Sequence, residues 1–198
     1  GVDHTVIVYD TRRREVERRL VGHKGPVFSV SISAGGGMLA SGSRDRSLLV
    51  WDLGTGLCHR SFHDAHEMYV HSVAFAPDGR TIATTGGDTA VKLWDVEAGA
   101  LLRSFAGHTH FVLTVAFSPD GASLASGGGS IDPSVRVWDV QAGTERLCLR
   151  GHDARDGCLC HAVMPNRGGI AHRGCPRQGH RDVVHAVEFS PDGDAIVS

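Results

Sequence analysis

The sequence predicts an all-β fold made of four-stranded antiparallel units that repeat along the chain. Its first sign is a Trp-Asp pair that recurs with steps of 43 and 44 residues between the tryptophans: Trp51, Trp94 and Trp138. Its second sign is a histidine that precedes each tryptophan by 28 to 30 residues: His23, His66 and His108. A period of roughly 40–45 residues with these two landmarks indicates the blades of a β-propeller.

The first strand of each repeat follows the histidine. Apolar residues stand four, seven and nine positions after it, as in Val27, Val30 and Ile32 of the first full repeat. The same positions after the later histidines, including His180, hold valine, valine and phenylalanine. Because β-branched and aromatic residues favour strands, these positions predict the innermost strand of each blade.

A tight turn then leads to the second strand. The turn is Pro-Asp-Gly at 77–79, 119–121 and 191–193, and Ala-Gly-Gly at 34–36 in the first full repeat. Proline pre-sets φ, aspartate bonds the nearby backbone and glycine accepts a positive φ. The third strand ends at the tryptophan, and a polar turn with glycine precedes an outer strand, for example over 101–105.

Each full repeat also carries a hydroxyl residue, a histidine and an aspartate in register. With the tryptophan, the sets are His23, Ser41, Asp45 and Trp51; His66, Thr84, Asp88 and Trp94; and His108, Ser126, Asp132 and Trp138. The first three are the residue types of a hydrolase triad, but an enzyme needs one such site, and the chain has no Gly-x-Ser-x-Gly elbow. We therefore predict a buried hydrogen-bond relay in each blade, no catalytic residue and no enzyme activity.

Composition narrows the classes of partner. The chain of 198 residues is 41% hydrophobic and 21% charged with a net charge of −2, which fits a globular protein without a nucleic-acid surface. We expect no signal peptide, and the sequence holds no apolar run long enough for a membrane span. Five cysteines, which do not follow the repeat, favour a reducing intracellular compartment, cytoplasmic or nuclear. We expect no cofactor, no metal and no small-molecule substrate.

The repeat pattern breaks over residues 153–178. The next Gly-His pair arrives only 28 residues after the one at 151–152. A zinc site would draw on Cys158, Cys160, His161, His172 and Cys175, but their spacing is not a common zinc pattern. A long loop or decayed blade is a second interpretation. A translated intron or a frame slip in the gene model is the third and best, because it explains an abrupt loss of register and its clean return.

These motifs divide the chain into six parts. Residues 1–21 form the C-terminal part of a first blade, 22–64, 65–106 and 107–150 are full repeats, 151–178 is a disrupted or artefactual repeat, and 179–198 begins a further, truncated one. About four to five blades' worth of sequence predicts an incomplete propeller, and we interpret the chain as a fragment of a longer protein. Open blade edges favour association, so we expect marginal stability.

In this combination of motifs the chain resembles the WD40-repeat family over about residues 1–152 and 179–198. The resemblance implies a scaffold that binds proteins or peptides on the top face of the propeller. It also implies partner contacts beside the first valine of each innermost strand and just before the relay aspartate. Carried onto this sequence, those positions are Phe28, Arg44, Tyr69, His71, Phe111, Leu113 and Ile131.

Three other functions stay open at this point. A substrate receptor of a cullin-type ubiquitin ligase often carries Trp-Asp-x-Arg, which only Tyr9-Asp10-Thr11-Arg12 approaches here. The chain also fits the propeller portion of a larger multidomain signalling protein or enzyme, since fold does not determine role. A hydrolase or metal enzyme would depend on the relay or on the cysteine-rich segment.

Overall fold

The computed structural model describes residues 3–149, 161–163 and 183–198, and within these ranges the chain forms strands and turns without a helix. Its first sheet has two strands, β1 (Thr5–Asp10) and β2 (Glu15–Val21). Its last sheet has three short strands in the order β15-β17-β16: β15 (His161–Val163), β16 (Glu188–Phe189) and β17 (Ala195–Val197). The disrupted repeat expected over 151–178, with the cysteines and histidines weighed above as a zinc site, lies outside the described side chains.

Three four-stranded antiparallel sheets lie between these ends, and each is one blade. The first holds β3 (Val27–Ile32), β4 (Met38–Ser43), β5 (Leu48–Asp52) and β6 (Cys58–Phe62). The second holds β7 (Val70–Phe75), β8 (Thr81–Gly86), β9 (Val91–Asp95) and β10 (Ala100–Phe105). The third holds β11 (Val112–Phe117), β12 (Ser123–Gly128), β13 (Val135–Asp139) and β14 (Glu145–Leu149). The prediction of an incomplete propeller with four-stranded antiparallel blades is confirmed.

The apolar core lies between neighbouring blades. One cluster joins Ala40 of β4 to Val70 and Val73 of β7 in the next blade, and the same positions meet across the later interfaces. Each sheet has two faces to cover, so a blade is stable only against its neighbours. Burying one of these valine side chains contributes roughly 1.5–3 kcal/mol to the stability of the fold.

One glycine allows the first two blades to approach closely. A Cβ added to Gly42 of β4 would lie 2.6 Å from the Cγ1 atom of Val70 in the next blade. A larger residue there would push the two sheets apart, which is why the second strand carries a glycine facing this valine.

The aspartate of each Trp-Asp pair shapes the turn that follows the third strand. The Oδ1 atom of Asp52 accepts a hydrogen bond of 2.7 Å from the N–H group of Thr55, and Gly56 completes the turn with a φ of 77°. The turn after β1 has the same hydrogen bonds around Asp10, but its positive φ of 58° falls on Arg14. An L-residue with a side chain adopts this conformation only with strain.

Arginines of the outer strands join each blade to the next. Arg18 of β2 donates to the carbonyl oxygen of Gly54, and Arg103 of β10 donates to those of Gln141 and Ala142. Each arginine stands nine residues after the tryptophan or tyrosine of its own unit. This spacing is visible in the sequence, although only the structure shows what the side chains contact.

Strand β15 pairs with β17 in the register of a third strand. Val163 lies opposite Ala195, and Ala162 lies opposite Ile196, as Asp139 lies opposite Ser123 in the third blade. A segment that precedes the innermost strand in sequence therefore occupies the place that follows the second strand in the complete blades.

Candidate functional site

The four relay residues of the first full blade meet in a continuous hydrogen-bonded chain. The Nδ1 atom of His23 lies 3.0 Å from Asp45 Oδ2, and its Nε2 atom lies 2.7 Å from Ser41 Oγ. The indole N–H of Trp51 donates to the same hydroxyl at 2.8 Å. The residues come from β4, β5 and the loops at one end of the blade, so the sheet itself brings them together.

The next two blades repeat this arrangement. His66 lies 2.6 Å from Asp88 and 2.8 Å from Thr84, whose hydroxyl accepts from Trp94 at 2.8 Å. The third set matches it, with distances of 2.8 to 2.9 Å among His108, Asp132, Ser126 and Trp138. All three imidazole side chains are fully buried, and so are the three hydroxyl residues.

Further donors to the relay carboxylates were not foreseen from the sequence. The backbone N–H of the residue after each histidine donates to the carboxylate: Lys24, Glu67 and Thr109. The hydroxyl of Ser134 adds a bond of 2.7 Å to Asp132, and the ammonium group of Lys92 lies 2.9 Å from Asp88. Ser134 could have been predicted from the sequence, because it stands two residues after the relay aspartate Asp132.

Electrostatics favour a neutral imidazole beside an ionised carboxylate. Burial lowers the pKa of His23, His66 and His108 below the usual value, although the neighbouring aspartates act in the opposite direction. Burial raises the pKa of Asp45, but hydrogen bonds from Ser47 and Lys24 outweigh it and bring that pKa down to about 2. A neutral imidazole donates from Nδ1 and accepts the hydroxyl proton at Nε2, so every group has a partner.

A second group of side chains gathers where the innermost strands β3, β7 and β11 begin. We call it the aromatic patch, and it consists of Phe28, Tyr69, His71, His110 and Phe111. His71 stacks on Phe28 with ring centroids 5.7 Å apart and planes 13° apart, and it lies 6.1 Å from the ring of Phe111. Three consecutive blades thus supply one contiguous surface of rings.

The other predicted partner-binding residues take different positions. The guanidinium of Arg44 lies over the ring of Tyr69, 5.3 Å from its centroid. Leu113 lies beside Gly129, while Ile131 is 71% exposed. The sequence analysis omitted His110, whose ring centroid is 4.3 Å from that of Phe111.

Two ring nitrogens in the aromatic patch are buried without a hydrogen-bond partner among the described residues, Nε2 of His71 and Nδ1 of His110. Burial also lowers the pKa of His71, so its imidazole is neutral near pH 7. Buried polar atoms are usually paired. Because both nitrogens are shielded from solvent, a bound polar group would pair with them only after the ring turned outward.

A cavity of about 450 Å³ lies at the opposite ends of the innermost strands. Phenylalanines and turn prolines line it together with one carboxylate: Phe75, Pro77, Phe117, Pro119, Phe189 and Glu188. It is separated from the aromatic patch by the length of the strands.

Neither metal ligands nor a membrane segment stand out in the described part of the chain. No group of three or more His, Cys, Asp or Glu side chains in residues 3–149 and 183–198 is placed to hold a metal ion. None of the described residues belongs to a helix of the length and apolarity that a membrane crossing needs.

Comparison with known proteins identifies the repeat. The family model described as "WD domain, G-beta repeat" matches residues 14–52, 56–95 and 99–139. Each match spans the outer strand of one sheet and the first three strands of the next, so the sequence repeat is offset from the blade by one strand.

Two relatives share parts of this sequence. Cell division control protein 4 of Saccharomyces cerevisiae is 41% identical over 63 residues, 31% of this chain and 8% of that protein. The periodic tryptophan protein 2 homolog of Schizosaccharomyces pombe is 35% identical over 48 residues, 24% of this chain and 6% of that protein. The matched segments thus span less than a tenth of either relative.

Proposed function

The chain belongs to the WD40 repeat family, and from this premise we propose that it is a non-catalytic scaffold that binds a protein or peptide through the aromatic patch. WD40 repeats in general serve as protein-interaction scaffolds. The patch is the observation that carries the finer proposal, because it joins rings from three blades on one surface. Aromatic and arginine side chains dominate the binding energy of many protein interfaces.

The two imidazole rings of the patch add polar atoms to a surface of rings, which supports a partner with polar groups as well as apolar ones. A peptide backbone offers both N–H and C=O groups, and either would pair with a neutral imidazole. Arg44 over Tyr69 places a positive charge against one ring of the patch. A carboxylate or neutral group of the partner therefore fits that position better than a cation.

The relay is proposed to be structural in this scheme. A nucleophilic hydroxyl must reach its substrate, yet Ser41, Thr84 and Ser126 are fully buried and accept the tryptophan N–H bonds. Three copies of one arrangement also match three blades better than one active site. The ligase-receptor role, the place in a larger multidomain protein and the intracellular location stay predictions.

The proposal is tested with the purified chain as bait for a cell lysate and quantitative mass spectrometry of what it retains. Changing Tyr69→Ala together with Phe111→Ala should remove the partners that the unchanged chain retains. The matched control is Leu101→Ala with Leu102→Ala, which removes two exposed apolar side chains on β10. An unchanged set of partners with the patch variant, while its melting curve shows a folded protein, would refute the proposal.

A further inference from the structure

An exposed arginine marks the first-blade side of the aromatic patch. Among residues 3–149 and 183–198, no carboxylate forms an ion pair with Arg44. Arg46, two residues later, pairs with Asp64 at 2.8 Å. The guanidinium of Arg44 instead lies 5.3 Å from the ring centroid of Tyr69. A ring against one face of a guanidinium holds its plane and leaves the N–H groups at its edge available to an anion.

The third-blade side of the patch is apolar and uncharged. Neither 105–118 nor 127–131 contains aspartate, glutamate, lysine or arginine. Phe111 and Leu113 lie in the first of these segments, and Ile131, which is 71% exposed, lies in the second. A charge of either sign bound on this side would lose hydration without gaining an ionic partner from these segments. The patch therefore has one cationic side and one apolar side.

The rings connect the two sides in regular steps. The guanidinium carbon of Arg44 and the ring centroids of Tyr69, His71 and Phe111 follow one another at distances of 5.3, 6.1 and 6.1 Å. In an extended chain, side chains two residues apart point to the same side and lie about 6.5 Å apart. An extended peptide can therefore place every second side chain on successive groups of this surface.

The charges around Arg44 suit a carboxylate better than a dianion. Asp64 neutralises Arg46, and the exposed Lys24 and Glu67 of the neighbouring loops carry opposite charges. This leaves a single positive charge, whereas a phosphate group with a charge near −2 is usually bound by several arginines. A carboxylate matches the edge of one guanidinium with two parallel hydrogen bonds.

We propose that the aromatic patch binds an extended acidic–apolar segment of a partner protein. Its carboxylate lies on Arg44, and two apolar side chains, two and four residues away along the segment, lie on the rings towards Phe111. The inference rests on the proposed function and adds the chemistry of the partner. Because only one side of the patch accepts a charge, the order of acidic and apolar residues sets the register in which the segment binds.

A peptide array probed with the purified chain tests the charge and the spacing. Each peptide carries leucine and phenylalanine two residues apart. Aspartate, asparagine, lysine or phosphoserine stands one to four residues from the nearer apolar side chain, in both chain directions. We expect the strongest retention for aspartate at a spacing of two residues. Equal retention of the asparagine or lysine peptides, stronger retention of phosphoserine, a maximum at another spacing or no retention overturns the proposal.

Charge reversal tests whether the carboxylate lies on Arg44. Arg44→Glu should weaken binding of the best aspartate peptide on the order of tenfold in fluorescence anisotropy, and should bind the matching lysine peptide better than the unchanged chain does. Arg46→Gln is the matched control, because it removes an exposed arginine of the same loop that Asp64 already neutralises. Its affinity should change by less than about twofold. Equal losses in the two variants, with both melting curves unchanged, contradict the proposed position.

Retention of lysate proteins by the same variants separates this inference from the proposed function. Partners that are lost with Tyr69→Ala and Phe111→Ala but retained by Arg44→Glu leave the scaffold in place and reject the acidic segment. Partners lost with both variants support both statements. Partners that survive the change of the two rings reject the proposed function and this inference with it.

Discussion

Arg60, in the outer strand of the first full blade, packs against Gly99 in a turn of the next blade. Its Nε and Nη2 atoms donate to the carbonyl oxygens of Val96 and Glu97 at 3.0 and 2.9 Å. A Cβ on Gly99 would lie 3.5 Å from the Cδ atom of Arg60, and Gly99 has a φ of 65°. Glycine thus allows the positive φ of the turn, while a Cβ there would meet Arg60 only at an ordinary contact distance. Blades are joined here by hydrogen bonds as well as by apolar packing.

Arg60→Ala should lower the free energy of unfolding by about 1–2 kcal/mol, because two hydrogen bonds between blades are lost. Urea unfolding followed by tryptophan fluorescence measures the change. Arg19→Ala, an exposed arginine in another outer strand, serves as the control and should change stability by less than about 0.5 kcal/mol. Equal effects of the two substitutions would mean that the contact with the next blade contributes nothing.

Arg14→Gly should raise the stability of the protein. Arg14 holds a φ of 58° at the turn position where three later units have glycine, and the left-handed conformation costs an L-residue about 1–2 kcal/mol. Part of that gain is offset by the greater freedom of glycine in the unfolded chain, so a net gain of about 0.5–1 kcal/mol is expected. The reverse change at the equivalent turn, Gly56→Ala, should destabilise the protein, and a gain in stability there would contradict the explanation.

Asp88→Ala should destabilise the protein strongly, because we propose that this aspartate has a structural role in the relay and no catalytic one. It leaves the buried His66 and the largely buried ammonium group of Lys92 without their carboxylate partner, and breaking a buried charged pair costs about 3–5 kcal/mol. Glu15→Ala is the control, since Glu15 pairs with Arg13 at the surface and such pairs contribute roughly 0–1 kcal/mol. An unchanged unfolding midpoint for Asp88→Ala would refute the structural role of the relay.

The protein should lose stability as the pH falls from about 7.5 to 5.5. Burial lowers the pKa of His23, His66 and His108 in the folded state, while the unfolded imidazoles bind protons below about pH 6.5. Since the unfolded state then binds more protons, the free energy of unfolding decreases with acidification. The urea midpoint at each pH measures the effect. A midpoint that rises on acidification would mean charged imidazolium–carboxylate pairs in the relay.

A separate loss of stability should follow below about pH 4. The pKa of Asp45 is lowered to about 2 in the folded state, so its stabilising contribution is present above the unfolded value of about 3.9 and disappears as the pH falls towards 2. Asp45→Asn should flatten the stability curve in this acidic range and leave the histidine-dependent decline at higher pH in place. An unchanged acidic branch in Asp45→Asn would exclude this carboxyl group as its source.

The strands and the relay contacts were accessible from the sequence because their signals recur. The spacing from His66 to Thr84, Asp88 and Trp94 is repeated in the first full blade and, with two extra residues before the aspartate, in the third. Each set meets within one blade. Lys92 in the same network was missed, since the equivalent positions hold Leu49 and Arg136. A single departure from a repeat has no periodic signal, and its contacts depend on the side chains around it.

The sequence by itself determined the register of the blades, because the apolar positions, turn residues and Trp-Asp pairs that set it are local and periodic. Only the tertiary structure decided which residues meet between blades. Phe28, His71 and Phe111 lie about one repeat apart in sequence, yet their rings share one surface. Val30 resembles Val73 in sequence and differs in exposure, because burial depends on the neighbouring sheet. Contacts between sheets depend on how far apart the sheets lie and on which sheet covers each face. No sequence pattern within one repeat encodes either of these.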